Sequence, residues 1–419
     1  MHTNPICHWS NLPIRPPTGF GWTPSFQVFF DPQQLKFRST LDVAAMAPSG
    51  TALYVDIATG NNGNTGLSWA QALKGIGAAI DKLKLDPTLH VVYVRSGDYT
   101  FTWRWDNDFC TQDVSFYAVD GPVITSSRAD TQTWTKTVGR NFVYEAPITV
   151  IRSVVDRAQD SGEGNGTVLP VVADVAACDA TPASYYTDGV KVYVHTYDDR
   201  AADGNIRVYR QGNGPQCTAA GNMYVENFIF EGCNASVFTV SAATRAVFVN
   251  CKFLYSGSGN NCNFNLTIPG GEIYLINCVS GEAAADGFGY ADWTHIYEEN
   301  CVCSGNGRGT GTTNNGSSAH VTGNLIRLNG TYKRNWGPNI ADVDATQSWN
   351  LGCLLRDYRG GAPSGANVTS DSADIWLHRV TSILDAAPWD FYENGGGTIY
   401  KYACVDGGQY SGNVIDYVP

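Results

Sequence analysis

Short apolar runs of strand length return at close intervals between residues 222 and 306. The runs lie at residues 224–233, 246–253, 272–280 and 295–303, and each ends in or is followed by Asn, Cys, Gly or Ser. They are too short for helices and lack a helical register, and they are rich in the residue types that strands prefer. The pattern therefore predicts β-strands separated by tight polar turns.

The dipeptide Asn-Cys recurs in three of these runs, at Asn250-Cys251, Asn277-Cys278 and Asn300-Cys301. Successive copies are 27 and 23 residues apart. A repeat of this length is typical of one supersecondary unit stacked on the next. The repeat predicts an all-β fold, a single-stranded parallel β-helix in which each coil stacks on the preceding one.

Twelve cysteines raise the question of disulfide bonds. Cys251, Cys278 and Cys301 occupy equivalent places in successive runs, and Cys404 ends a later one. In a stacked solenoid such residues line up as a ladder of small buried side chains, because free cysteine behaves as a small hydrophobe. We expect this ladder; a disulfide framework is the alternative, and spacing alone does not choose between them.

The N-terminal region, residues 1–50, differs from the repeats. It is rich in proline at first, and residues 26–30 are its one strand candidate. Its apolar content is too low for a core of its own, so it predicts an arm that docks on a partner or on the body of the protein, with an unstructured leader as the alternative. Residues 1–21 lack a basic start followed by an apolar core, so no signal peptide is expected.

Residues 51–128 open the repeating body. The elements follow in the order strand 53–56, Gly/Asn-rich loop 60–66, amphipathic helix 69–85, buried strand 90–94 and Gly-Asp-Tyr turn 97–99. This order resembles the opening of right-handed parallel β-helix proteins of the pectate-lyase-like superfamily. The resemblance implies a right-handed solenoid with an N-terminal capping helix, because the first coil would otherwise expose strand edges and apolar core.

Between residues 129 and 214 the short repeats lapse. The stretch 183–189, followed by the apolar residues 192–194, resembles a motif of bacterial and phage β-helix proteins in which a small β subdomain is inserted between coils. We therefore expect an inserted β subdomain over residues 129–214. Coils resume at Tyr224, and residues 215–419 are expected to form the main β-helix.

The charge balance narrows the possible partners. The net charge is −12, from 27 basic and 39 acidic residues, which argues against nucleic acid and against an anionic membrane surface. No apolar run approaches the length of a membrane span. Hydrophobic residues make up 43% of the chain, enough to bury a sizeable core, so intrinsic disorder is excluded.

Candidate chemistry lies in polar segments of the main β-helix, because loops on a rigid scaffold usually carry function. Asp286 lies in an Asp-Gly turn, Glu298 lies inside an apolar run, and His320 lies where a Gly/Asn-rich loop re-enters a strand. Asp342 and Asp344, two residues apart, share one face of an extended segment. All five are candidates for acid or base catalysis.

Each of these candidates has a plain structural alternative. Asp286 is also compatible with a purely structural role, because an Asp-Gly pair is common in turns. Glu298 is also compatible with a structural position, exposed on a sheet face or buried with a partner. His320 is also compatible with a solvent-facing or hydrogen-bonded position. Asp342 and Asp344 lie near cations and also suit a solvated salt-bridge network.

Aromatic and cationic residues nearby are candidates for substrate binding. Trp293 and Trp336 can stack on a sugar ring. Lys333 and Arg334 can neutralise a uronate and ease removal of the neighbouring proton, as in a lyase. A carboxylate pair can also ligate a hard cation such as Ca²⁺, but the sequence predicts no metal site and no cofactor.

Segments between residues 320 and 352 are similar to those of phage tail-spike and bacterial polysaccharide-processing β-helix proteins. The resemblance implies a homotrimeric phage virion protein that binds a bacterial surface polysaccharide, depolymerises it as a hydrolase or lyase, and docks on other tail proteins through its arm. The chain departs from the polygalacturonase and pectate lyase catalytic sets, so no catalytic residue carries over. The alternatives are a non-catalytic virion fibre or adhesion protein, and an extracellular bacterial lyase or hydrolase.

Overall fold

The computed structural model describes residues 12–100, 112–129, 132–210, 212, 214–217, 221–233, 236–257, 262–267, 270–308, 314–360, 365–385 and 387–418, with the backbone alone at Thr267. Outside residues 12–50 and 132–210, these ranges form a right-handed parallel β-helix of about 11 turns, which confirms the fold expected from the repeats and the resemblance. Three parallel sheets, named A, B and C here, run along its length.

From Asn222 to Asn394 each coil passes through sheet A, bends into sheet B and returns through sheet C. Sheet A contains Thr51–Val55, Leu89–Thr100, Val114–Ser126, Asn222–Glu226, Arg245–Val249, Glu272–Ile276, His295–Glu299, Thr322–Leu328, Ala345–Leu351, Asp374–His378, Thr398–Tyr402 and Val414–Asp416. Sheet B contains the second halves of Leu89–Thr100 and Val114–Ser126, then Phe228–Glu231, Lys252–Leu254, Val279–Gly281, Val302–Ser304, Thr331–Lys333, Leu354–Arg356 and Thr381–Ser382. Sheet C contains Gln216–Cys217, Phe238–Val240, Phe264–Thr267, Phe288–Ala291, Ser317–His320, Ile340–Val343, Ala366–Asp371, Trp389–Asn394 and Tyr410–Ser411.

The bend between sheets A and B explains the recurring asparagines. Asn227, Asn250, Asn277, Asn300 and Asn329 adopt φ angles of 52° to 64° there, a left-handed conformation that asparagine tolerates better than most residues. The Nδ2 of each of the last four donates to the Oδ1 of the preceding one over 3.1 to 3.4 Å. The Asn-Cys repeat therefore marks one bend repeated along the solenoid.

The cysteines beside this bend form a buried ladder. Cys251, Cys278 and Cys301 are fully buried, and each thiol points at a carbonyl oxygen of the preceding coil, as Cys301 Sγ does to Leu275 over 3.2 Å. All ten cysteines in the described ranges are free. The expected ladder of small apolar side chains is confirmed.

The N-terminal end of the core is closed by the helix Ile76–Leu85. Its buried residues Ile80 and Leu83 join the apolar core of the first coils. The helix starts later than the sequence pattern suggests, because the N–H of Leu73 donates to the carbonyl of Tyr54 over 2.9 Å and extends the first coil instead. In the described ranges, the other helical pieces are the 3₁₀ turns Ala44–Met46 and Trp69–Gln71 and the short helix Val175–Ala180.

Residues 12–50, called the arm, lie along the outer face of sheet A. Trp22 stacks on His295 with ring centroids 4.6 Å apart, and Phe26 meets the edge of Tyr297 at 4.7 Å. These contacts belong to a second apolar core that lies outside the solenoid. The arm contains one antiparallel hairpin, formed by the strands Val28–Asp31 and Lys36–Ser39.

Residues 132–210, called the insertion, pack against the outer face of sheet B. Tyr209 stacks on Tyr255 at 5.7 Å, and the N–H of Gly166 donates to the Tyr255 hydroxyl over 2.8 Å. The insertion also has an apolar core of its own. Its strands are Thr135–Lys136, Val143–Ala146, Ile151–Gly162, Asn165–Val168, Ser184–Thr187, Val192–His195 and Ile206–Arg210.

Candidate functional site

Sheet C carries the candidate residues that contact each other on an outer face. In the strand Ser317–His320, Ser317 and Ala319 point into the core. Ser318 and His320 therefore point outward, because side chains alternate along a strand. The His320 side chain is 42% exposed, so it is accessible to a bound molecule.

His320 contacts two polar side chains on this face. Its Nε2 lies 2.6 Å from the Ser318 hydroxyl oxygen and 3.9 Å from Oδ2 of Asp286. Asp286 precedes the neighbouring strand Phe288–Ala291, and its Oδ1 accepts a hydrogen bond from the N–H of Asn315 over 2.5 Å. This backbone contact fixes the carboxylate with its second oxygen toward the imidazole.

The electrostatic surroundings raise the pKa of His320 above its usual value. The largest cause is the interaction with the Asp286 carboxylate, and the charges of Asp342 and Asp344 act in the same direction, while burial opposes them. The imidazole therefore stays protonated to a higher pH than a free histidine. A protonated imidazole is a proton donor for a reacting group.

This cluster does not have the geometry of a nucleophilic triad. In such a triad the serine and the carboxylate bond opposite nitrogens of the imidazole ring. Here Ser318 and Asp286 both lie nearest to Nε2 of His320, and the Ser318 side chain is fully buried. The arrangement therefore suits acid–base chemistry by His320.

Asp344 lies beyond the other end of the same strand. Its Oδ2 accepts a hydrogen bond from the N–H of Val321 over 3.0 Å, and the residue is exposed. Asp286 is anchored at Asn315 and Asp344 at Val321, so the strand Ser317–His320 separates the two anchor points. Asp344 contributes negative charge to the surroundings of His320.

Glu298 and Asp342 point into the solenoid core instead. Both are fully buried, and Arg327 joins them: its guanidinium donates twice to Asp342 over 2.8 and 2.9 Å and lies 3.4 Å from Glu298. The hydroxyls of Tyr290 and Tyr332 donate to Glu298 over 2.9 and 2.6 Å. These two carboxylates therefore belong to a buried network of hydrogen bonds and ion pairs, and they do not lie on the outer face of sheet C.

The two tryptophans singled out in the sequence have different surroundings. Trp293 is buried in the core beside Tyr290, with ring centroids 6.4 Å apart. Trp336 is 40% exposed at the corner between sheets B and C, where its backbone N–H donates to the carbonyl of Asn306 over 2.9 Å. Of these two rings, Trp336 is the one that can meet a ligand from solvent.

Lys333 and Arg334 are engaged with the insertion. The Lys333 ammonium pairs with the Glu163 carboxylate, and the Arg334 guanidinium donates to the carbonyl of Ser161. Both cations therefore help to hold the insertion on sheet B, away from the His320 cluster.

Carboxyl groups with raised pKa values also lie in the seam between the insertion and sheet B, and no sequence pattern indicated Glu231 or Glu282 among them. Burial raises the pKa of Glu231 and of Glu282, while nearby arginines oppose the shift. Glu231 accepts a hydrogen bond from the Tyr209 hydroxyl over 2.7 Å. From the sequence alone, a glutamate at the end of a short strand is expected at the surface, because the distant segment that buries it is not apparent.

No family model matches this chain, and no curated protein matches it. Solved structures do match it, at low sequence identity. A glycoside hydrolase is 10% identical, covers 87% of this chain and 97% of its own, and has a TM-score of 0.49. The Gp54 tailspike of Acinetobacter baumannii bacteriophage AP22, in complex with A. baumannii capsular saccharide, is 13% identical over 82% of this chain and 74% of its own, with a TM-score of 0.26.

Pectate lyase Pel9A is 10% identical over 89% of this chain and 80% of its own, with a TM-score of 0.36. At these scores the likenesses carry no argument about activity, and the fold assignment rests on the strand pairing.

Among the described residues no helix is long and apolar enough to cross a membrane. In the same ranges no group of three or more His, Cys, Asp or Glu side chains is placed to hold a metal ion.

Proposed function

We propose that this protein binds a polysaccharide along the outer side of sheet C and cleaves it, with His320 transferring a proton and Asp286 keeping His320 protonated. The observation that carries the proposal is the 3.9 Å approach of the Asp286 carboxylate to an accessible imidazole. The raised pKa of His320 agrees with this geometry.

The chemistry follows from the requirements of glycosidic bond cleavage. The departing sugar oxygen must receive a proton, and a positioned acid that is still protonated near neutral pH supplies it best. Ser318, 2.6 Å from Nε2, restricts the rotation of the His320 ring. Trp336, exposed at the corner between sheets B and C, offers an apolar surface for a sugar ring.

Hydrolysis is better supported than elimination. Elimination beside a uronate carboxylate is eased by a cation that neutralises that carboxylate. Lys333 and Arg334, the cations proposed for this role, are engaged with Glu163 and Ser161 of the insertion. Water addition across the glycosidic bond needs no such cation.

We further propose that the substrate is a bacterial surface polysaccharide and that the protein is a tail-spike-like virion component that forms homotrimers. The β-helix fold and the acidic net charge of −12 support an elongated carbohydrate-active protein without a nucleic-acid partner. Aromatic residues of the arm pack against sheet A of the same chain and are therefore not available to a partner. A contact with other tail proteins would therefore use the solvent-facing side of the arm.

A non-catalytic virion fibre or adhesion protein is the second candidate. The observation in its favour is that Glu298 and Asp342, two of the five proposed catalytic residues, are sequestered with Arg327 in the core. An extracellular bacterial hydrolase or lyase would use the same His320 cluster as a tail-spike.

The test is incubation of the purified protein with capsular, exo- and lipopolysaccharides, with new reducing ends and the absorbance of unsaturated uronate followed together. We expect reducing ends without the absorbance. His320→Gln should lower the rate at least a hundredfold, since general acids contribute about that much or more, whereas Asp286→Asn should lower it mainly on the alkaline side of the pH profile. Asp81→Asn, at an exposed site on the capping helix, is the matched control.

Each other outcome has a clear meaning. Absorbance together with reducing ends would identify a lyase. A glycan that binds but yields no product would leave the fibre or adhesion protein. Full activity in His320→Gln would place the chemistry elsewhere on the solenoid.

A further inference from the structure

A cavity of about 720 Å³ lies where the arm meets the C-terminal end of sheet A. Arm residues 12–18 form one wall, and Trp376, Tyr400 and Tyr402 contribute to the other. The volume falls within the range of small-molecule sites, which are mostly apolar with a few placed polar groups. No residue of the His320 cluster lines this cavity.

Among the described lining residues of the cavity, the charged side chains are cationic. Arg15 and Arg379 line the cavity, and no Asp or Glu is among its described lining residues, although the whole chain has a net charge of −12. The Arg379 guanidinium lies over the ring of Phe30, 4.3 Å from the ring centre. A planar guanidinium held in one orientation can form paired hydrogen bonds with a carboxylate.

Two buried polar atoms at the cavity lack partners. In the described part of the chain, neither Nδ1 of His378 nor the hydroxyl of Tyr417 has a hydrogen-bond partner, and His378 is only 5% exposed. Burial and the neighbouring Arg379 lower the pKa of His378 to about 4. The ring is therefore neutral near pH 7 and retains one N–H donor. Unpartnered buried polar groups are costly, and sugar hydroxyls would satisfy them once a small movement of the covering side chains opens these atoms to the cavity.

We infer that this cavity is a binding subsite for a sugar residue that carries a carboxylate. The carboxylate pairs with Arg379, the ring hydroxyls reach His378 and Tyr417, and the C–H faces of the sugar pack against the aromatic wall. This inference rests on the proposed function to the extent that such a sugar belongs to the polysaccharide. It adds a subsite that binds without cleaving.

The test uses two small probes that differ at one group, methyl β-D-glucuronide and methyl β-D-glucoside. Titration by ligand-observed NMR should give at least a tenfold lower Kd for the glucuronide. Arg379→Gln should remove that preference, while Arg140→Gln, in the insertion and outside the cavity, should leave it unchanged. Sodium acetate at the concentration of the glucuronide should not displace it, because acetate lacks the ring.

Tyr417→Phe supplies a second variant that keeps the aromatic ring. Removing a hydroxyl that has no partner should leave the melting temperature unchanged, yet it should weaken glucuronide binding severalfold. Equal affinity for both glycosides, displacement by acetate, or undiminished binding in Arg379→Gln would each overturn the inference. The same titration on His320→Gln should show full binding, so failure of the cleavage proposal is separated from failure of the subsite.

Discussion

Asn329 and Phe37, 292 residues apart in the chain, form a closed pair of hydrogen bonds: the Asn329 amide donates to the Phe37 carbonyl over 2.7 Å and accepts from its N–H over 3.0 Å. The asparagine ladder ends here, because Gly352 occupies the bend of the next coil at φ 63°. A Cβ at Gly352 would lie 2.8 Å from Cδ2 of Phe37. The arm thus occupies the space into which the ladder would continue.

Replacing Asn329 should separate backbone strain from hydrogen bonding. Asn329→Gly keeps the left-handed bend and loses the side-chain bonds, which should lower the free energy of unfolding by about 2 kcal/mol. Asn329→Ala also strains the bend and should cost about 1 kcal/mol more. Urea unfolding followed by circular dichroism measures both. Equal losses in the two variants would mean that the left-handed conformation contributes nothing.

Adding a methyl group at Gly352 should loosen the arm. Gly352→Ala both strains a left-handed residue and clashes with Phe37, so we expect a loss of about 2–3 kcal/mol and faster proteolysis within residues 12–50. Gly139→Ala is the matched control, since Gly139 has φ 74° but nothing within 4 Å of the added Cβ. It should show the strain alone, with the arm still protected. If the arm resists proteolysis equally well in both variants, the position of Phe37 does not depend on the absence of a side chain at Gly352.

The titration of His320 should depend on Asp286. Because the folded-state pKa of His320 is raised, the stabilisation from its protonated form is complete below the unfolded pKa, about 6.5, and is lost as the pH rises through the folded value. NMR of the imidazole should therefore give a pKa above 6.5 in the native protein and a lower one in Asp286→Asn. If His320 is the general acid, the alkaline limb of the activity profile should move to lower pH in that variant. An unchanged titration would remove Asp286 from its proposed role.

Removing Arg327 should destabilise the solenoid core strongly. Arg327→Leu leaves Glu298 and Asp342 buried without their cation, which should cost about 3–5 kcal/mol. Adding Asp342→Asn should recover part of the loss, because one uncompensated charge is removed. Arg356→Leu, at a side chain that is 42% exposed, should cost much less. Thermal and urea unfolding decide this, and a loss in Arg327→Leu no larger than in Arg356→Leu would contradict it.

The fold was predictable because its main determinant is local. The bend at each asparagine depends on the backbone preference of one residue, so a repeated Asn-Cys pair reports a repeated bend without knowledge of distant contacts. The capping helix was also visible as an amphipathic segment. Its start was misplaced, because the pairing of Leu73 with Tyr54 is a contact between segments and leaves no periodic signal.

The sequence singled out candidate residues one by one, but it did not show which of them contact each other. Alternation along the strand His295–Glu299 shows that Glu298 and Glu299 face opposite sides, but only the assembled solenoid shows which side is the core. Glu298 points inward to Arg327, and Glu299 points outward, where its carboxylate accepts a hydrogen bond from Ser39 of the arm over 3.0 Å.

The sequence by itself determined the solenoid and its bends, because these follow from local conformation and from a repeat that stacks like residues on each other. Only the tertiary structure decided that Asp286 meets His320, that the insertion engages Lys333, and that the arm closes a cavity at Arg379. Each of these contacts joins segments from different coils or from outside the coils. Their register is set by packing between surfaces, and the order of residues along the chain does not encode it in any local pattern.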